Sequence, residues 1–347
     1  MFRPSSGSPP VHMILIDGTE STGTDSIEPS DWHENAPSLC RLSSGTDSKL
    51  NLESTSRFFT SVPELDNNTI VLDFQNKFID RILSVSLQYE NVLYCISNEA
   101  REPERAWNHY WAGFIGEIAT RAGRSIELTD MYWQPDLLGE KHKRVYGRPD
   151  LFSFSEVSQN SACNRDENWE NLAGFRGHIE GKADWPLNSV KIYGSVQKRH
   201  TGMMGSEQDA IEKFFRNLLG GCASSRFHRP PSGLGLGDLA KQCIISARLI
   251  ENETRFWDMV PCGDLLVNRG ENAAYLAADP GKAYVLFMPY EGASVGLDLG
   301  AHSSRYRIRW LDIHRRSWQA EGEARGGAVA EIVKPGTGNW IGLITAV

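Results

Sequence analysis

From residue 69 onward, apolar positions recur at steps of three and four: Val71, Phe74, Phe78, Ile82 and Val85, with Ile79 and Leu83 widening the stripe. That spacing predicts an amphipathic helix packing on one broad face. Residues 91–97 (NVLYCIS) follow as an apolar run of strand length, then a helix over 104–121, a strand over 125–129 and a strand-like run over 151–157. Beyond an irregular stretch rich in Asn, Gly and Trp come a strand at 189–193, a helix at 208–219, a strand at 223–227 and a helix at 239–251. Short buried strands alternating with helices predict βα units around a parallel sheet, as a barrel or a doubly wound fold.

The rhythm changes at 260–263. Runs at 273–277, 284–288, 295–299, 306–311, 328–333 and 340–345 are short, partly alternating and split by Pro, Gly and Asp turns. Six or seven strands in this span, with no helical stripe, predict a small antiparallel β-sandwich over 263–347. Residues 1–68 differ from both regions. Nineteen of them are Ser or Thr, and only 13–16 reads as a strand. Such a stretch buries little apolar area against its ordering entropy, so it is expected to be a loop-rich segment of the first domain. The expected division is therefore 1–68, a (β/α) barrel domain over 69–262, and the sandwich.

Composition narrows the function classes. Of 347 residues, 36 are Lys or Arg and 44 are Asp or Glu, a net charge of −8. Residues 1–68 hold ten acids against four bases, and no basic stripe runs along the chain, which argues against a nucleic-acid partner. No window approaches the 18 apolar residues of a membrane-spanning helix, and the run at 13–16 is too short for a signal h-region. The six cysteines (40, 95, 163, 222, 243, 262) form no CxxC pair, and Cys95 and Cys243 lie inside apolar runs, so buried free thiols are expected. The nine histidines lack metal-ligand spacing, and there is no GxSxG, Walker or HExxH motif. The glycine run at 233–237 follows Pro-Pro rather than a buried strand, which argues against a dinucleotide site. Neither a metal nor a cofactor is expected.

The strongest chemical signal is the segment 94–99 (YCISNE), which puts Glu99 at the carboxyl end of a buried strand. In (β/α) barrels that end is the catalytic face, so Glu99 is a candidate acid/base. A capping or salt-bridging Glu is the alternative at a strand end. The Asn-Glu pair resembles the one closing the fourth strand in the large retaining glycoside hydrolase clan with (β/α)8 TIM barrels, where the Glu is the acid/base and the Asn contacts the sugar 2-hydroxyl. Together with 129–133 (TDMYW), 157–160 (VSQN) and 221–231 (GCASSRFHRPP), these residues resemble a bacterial group of glycosidases related to apiosidase-like barrel proteins. Residues 284–289 (YVLFMP), 309–312 (RWLD) and 338–340 (GNW) resemble the β-sandwich that follows such barrels, usually labelled a collagen-binding domain. The resemblance covers roughly residues 69–347.

It implies a glycoside hydrolase acting on an oligo- or polysaccharide, with Glu99 protonating the leaving oxygen and Asn98 orienting the sugar. Two departures stand out. Only one credible strand precedes 92–97, so the first two βα units are expected to be missing and the barrel open, as in an N-terminally truncated chain. The position of the clan's nucleophile falls in the run 186–194, which offers Lys191 and no acid. A retaining mechanism needs two carboxyls about 5–5.5 Å apart, an inverting one about 6.5–9.5 Å. Glu156 and Glu207 are the candidate second carboxylates, although an outward salt bridge for the first and a helix-dipole role for the second are open alternatives. Tyr132 and Trp133 could stack on a pyranose face or pack in the core. Asp130, Asn160 and Tyr193 are further candidate substrate-binding residues, with Arg226, His228 and Arg229 able to bind sugar hydroxyls or a uronate, or to form a salt-bridged rim. Asp130 could equally cap the next turn. A non-catalytic carbohydrate- or matrix-binding protein is the rival reading. The chain shows no export signal, whereas relatives of this kind are typically secreted or periplasmic.

Overall fold

The computed structural model describes residues 12–15, 58–99, 105–179, 185–193, 205–228 and 237–347. Most of the segment 1–68, together with Cys40, Arg229 and the greater part of the glycine run at 233–237, lies outside the described residues. The chain forms two compact units, Met1–Gln134 with Gly139–Glu156, and Pro135–Leu138 with Val157–Val347.

The first unit is built on β1 (His12–Leu15), β2 (Val92–Cys95) and β3 (Glu127–Thr129), hydrogen-bonded in that order and all parallel. Parallel neighbours need crossover connections. Helix α1 (Thr69–Ser86) lies between β1 and β2 in the chain, and α2 (Arg105–Arg121) between β2 and β3. This is the β/α alternation from which TIM barrels are made. The unit ends with α3 (Glu140–Tyr146) and the two-residue strand β4 (Ser155–Glu156).

Helix α1 forms where the periodicity places it, started by Asn68, whose Oδ1 accepts from the Val71 N–H at 3.2 Å. Its buried face is narrower than expected and set elsewhere: Gln75, Ile79, Leu83 and Ser86 are buried, whereas Phe74, Phe78 and Val85 are exposed. Specific bonds draw the polar members inward. Gln75 donates to the Phe58 carbonyl and accepts from Ser61 Oγ, and Tyr94 Oη of β2 donates to Ser86 Oγ at 2.7 Å. The expected strand over 151–157 is reduced to β4, because the Leu151 and Phe152 amides turn back to the Arg148 carbonyl.

In the second unit, a 3-10 turn (Ser158–Ala162) leads into α4 (Arg165–Ile179), β5 (Leu187–Ile192), α5 (Glu207–Leu219), β6 (Cys222–Phe227) and α6 (Asp238–Glu251). Strands β5 and β6 pair in parallel. Helix α4 occupies the stretch expected to be irregular. Nine antiparallel strands follow: β7 (Val260–Pro261), β8 (Leu266–Val267), β9 (Tyr275–Asp279), β10 (Ala283–Met288), β11 (Ser294–Asp298), β12 (Arg305–Asp312), β13 (Ser317–Arg325), β14 (Val329–Val333) and β15 (Trp340–Ala346). They form a six-stranded sheet, β13-β12-β15-β10-β9-β7, and a three-stranded sheet, β14-β11-β8. Leu286 and Ile308 of the larger sheet share a buried core with Val295, Leu297 and Ile332 of the smaller one. The other face of the larger sheet supplies Tyr275, Val285 and Phe287 to a second core with Trp169 of α4, Phe214 and Phe215 of α5 and Cys243 of α6.

Candidate active site

In the first unit, β2 runs buried into Ser97, and the chain then bends through Asn98 and Glu99, both half-buried at the strand's carboxyl end. Glu99 adopts a left-handed backbone, φ 63°, a conformation that costs an L-residue with a side chain roughly 1–2 kcal/mol. Asp130 closes β3 and is only 2% exposed. Its Oδ1 accepts from Ser97 Oγ and its Oδ2 from Asn108 Nδ2 of α2, each at 2.6 Å. Tyr132 is buried as well, and that burial, with the Asp130 charge, pushes its hydroxyl pKa well up, so it stays protonated. Of the two aromatic residues after β3, only Trp133, 44% exposed, presents a surface. Glu156 lies at the end of β4 and is 1% exposed.

In the second unit, Glu207 is exposed in the first turn of α5, where Ser206 and Asp209 form a capping box. Lys191 is buried in β5. Tyr193 meets His228 edge to face, ring centroids 5.0 Å apart, beyond the ends of β5 and β6. Arg226 is exposed on β6, and Arg229 lies outside the described residues. Asn160 is bonded to its neighbours through both ends of its amide and its carbonyl. Its Nδ2 donates to the Asn168 carbonyl at 2.9 Å, its carbonyl accepts from Asn168 Nδ2, and its Oδ1 accepts from Asn171 Nδ2. These bonds tie the 3-10 turn to α4 and leave Asn160 buried.

Several solved structures resemble the chain, two glycoside hydrolases among them. One is a glycoside hydrolase family 5 protein from Bacteroides vulgatus, at 10% identity over 78% of this chain and 65% of that one, TM-score 0.57. The other is a glycoside hydrolase at 11% identity, covering 78% of this chain and 68% of that one, TM-score 0.59. The chain shares its fold with glycoside hydrolases. It spans about two thirds of their length, and slightly less in the first case. No family model matches the chain. No curated protein matches it.

Within that fold, the structure brings Asn98, Glu99, Asp130 and Trp133 to the strand ends of the first unit. It gathers Tyr193 and His228 at the strand ends of the second. Asn108 is the residue that sequence reasoning passed over. A polar side chain among the buried positions of α2, beside Trp107 and Trp111, was the available signal. The described cysteines, Cys95, Cys163, Cys222, Cys243 and Cys262, are buried. Burial pushes the Cys163 thiol up to about 11, which keeps it protonated and unreactive at neutral pH. Among the described residues, no group of three or more His, Cys, Asp or Glu side chains is arranged to hold a metal ion. No helix among them is long and apolar enough to cross a membrane.

Proposed function

We propose that the chain is a glycoside hydrolase of the apiosidase-like kind, cleaving glycosidic bonds in a complex polysaccharide by carboxylate acid/base catalysis. Its first domain is read as a TIM barrel ending near residue 262, and residues 263–347 as a collagen-binding-like β-sandwich. The observation that carries the reading is the half-buried Glu99 at the carboxyl end of a parallel strand, directly after Asn98, in a fold shared with glycoside hydrolases.

Glu99 gives its proton to the glycosidic oxygen as the bond to the anomeric carbon breaks, and Asn98 orients the sugar through its 2-hydroxyl. Water completes the hydrolysis and supplies the proton that restores Glu99. Glu156, buried at a strand end, is favoured as the second carboxylate over Glu207, whose exposed place in the first turn of α5 is explained by the helix dipole alone. Trp133 offers a face for stacking in the first unit; Tyr193, His228, Arg226 and Arg229 are proposed sugar contacts of the second unit.

A second reading, a non-catalytic carbohydrate-binding protein, is favoured by the buried Lys191 on β5, where the resemblance expects an acid. Incubating the purified chain with plant and mucin oligosaccharides and reading products by mass separates the two. Cleavage supports the hydrolase. Intact oligosaccharides that nevertheless bind the chain support the binding protein.

A further inference from the structure

We infer that Ser97, Asp130 and Asn108 form a buried positioning triad that sets the backbone of Asn98 and Glu99, an inference resting on the reading of Glu99 as the proton donor. The three side chains come from three places: the end of β2, the end of β3 and the interior of α2. Each is buried almost completely. Asn108 Nδ2 donates to Asp130 Oδ2 at 2.6 Å and to Ser97 Oγ at 3.1 Å, and Ser97 Oγ donates to Asp130 Oδ1 at 2.6 Å. Each pair in the set is bonded, so no member can turn without breaking two contacts. Short bonds onto a carboxylate are also stronger than neutral ones.

Asn108 is fully buried, and its Nδ2 spends both its bonds on this set. Ser97 stands two residues before Glu99, whose left-handed φ of 63° is disfavoured for any residue but glycine. Such a conformation persists only where the surroundings over-determine it, and the triad supplies that constraint from directly upstream. Asp130 thereby acts on the sugar site through the backbone of Asn98 and Glu99.

The test uses Ser97→Ala and Asn108→Leu, which remove one donor each, and Ser97→Thr, which keeps the hydroxyl. Two readouts are taken on the whole chain: amide hydrogen exchange at Asn98 and Glu99, and kcat and KM on an oligosaccharide that the unmodified chain cleaves. Exchange at Asn98 and Glu99 should rise at least about tenfold in Ser97→Ala and Asn108→Leu while β9 and β10 are unchanged. Misplacement on the ångström scale should lower kcat by about 100-fold, with KM nearly unaltered and Ser97→Thr close to the unmodified chain. Unchanged exchange at Asn98 and Glu99, or equal acceleration throughout the first unit, would overturn the positioning role. If Asn108→Leu does not fold, the smaller Ser97→Ala lesion carries both readouts. A chain that cleaves no oligosaccharide contradicts the hydrolase reading, while the exchange data still decide whether the triad holds Glu99 in place.

Discussion

Glu99 was legible in the sequence because an acid directly after an apolar strand is conspicuous, but its left-handed backbone was not, since φ leaves no mark on residue type. Asp130 was visible only as an acid at a strand end. Its engagement with Ser97 and Asn108 depends on residues up to 33 positions away, which no local pattern reveals. Lys213 shows how burial sets chemistry at this scale. Its ammonium donates to the Ser161 carbonyl at 2.7 Å, and desolvation, with the Arg216 charge adding to it against the opposing pull of Asp209, brings its pKa down to about 8. An unfolded lysine titrates near 10.4, so between those values the unfolded chain holds the extra proton and stability rises with pH. Urea unfolding at pH 7.5 and pH 10 should show the unmodified chain gaining on the order of 2 kcal/mol relative to Lys213→Met. Parallel pH dependences for the two chains would show that Lys213 is not destabilised by its burial.

At the scale of the element, three- and four-residue spacing located α1 well but not its buried side. The helix is apolar on more than one face, and the choice was made by Ser61, Phe58 and Tyr94, which bond Gln75 and Ser86 inward. Leu83, 1% exposed, and Phe78, 46% exposed, therefore predict opposite sensitivities. Leu83→Ala should cost about 2–5 kcal/mol in urea unfolding, and Phe78→Ala well under half of that. A reversed order would restore the face expected from periodicity. Helix α4 was obscured by its Asn and Gly content, although Trp169, Leu172, Phe175 and Ile179, all buried on one side, already carried a helical repeat. The antiparallel region was the most readable part, because its turns are punctuated by Pro, Gly and Asp and its strands alternate. Strand β13 was missed because SWQAEGEAR holds few apolar residues and is mostly solvent-facing.

At the scale of the molecule, the second unit is held by a polar hub as well as by its cores. Arg216 of α5 is fully buried, pairing with Glu212 at 3.0 Å and donating to Asn168 of α4 and Asn272 before β9. Tyr275 of β9 and Arg269 both reach Asp166 of α4. This hub joins the βα helices to the antiparallel sheet, a long-range arrangement that a linear pattern does not disclose. Arg216→Ala leaves Glu212 buried without its cation and should cost about 3–5 kcal/mol. A denaturation midpoint unchanged by that substitution would remove the hub from the account of stability. The central claim, that Glu99 carries glycoside hydrolysis, is tested most directly by comparing Glu99→Gln with the unmodified chain on an oligosaccharide the latter cleaves. Turnover should fall by at least about 100-fold while affinity for the oligosaccharide is retained; equal turnover in the two chains would contradict the claim.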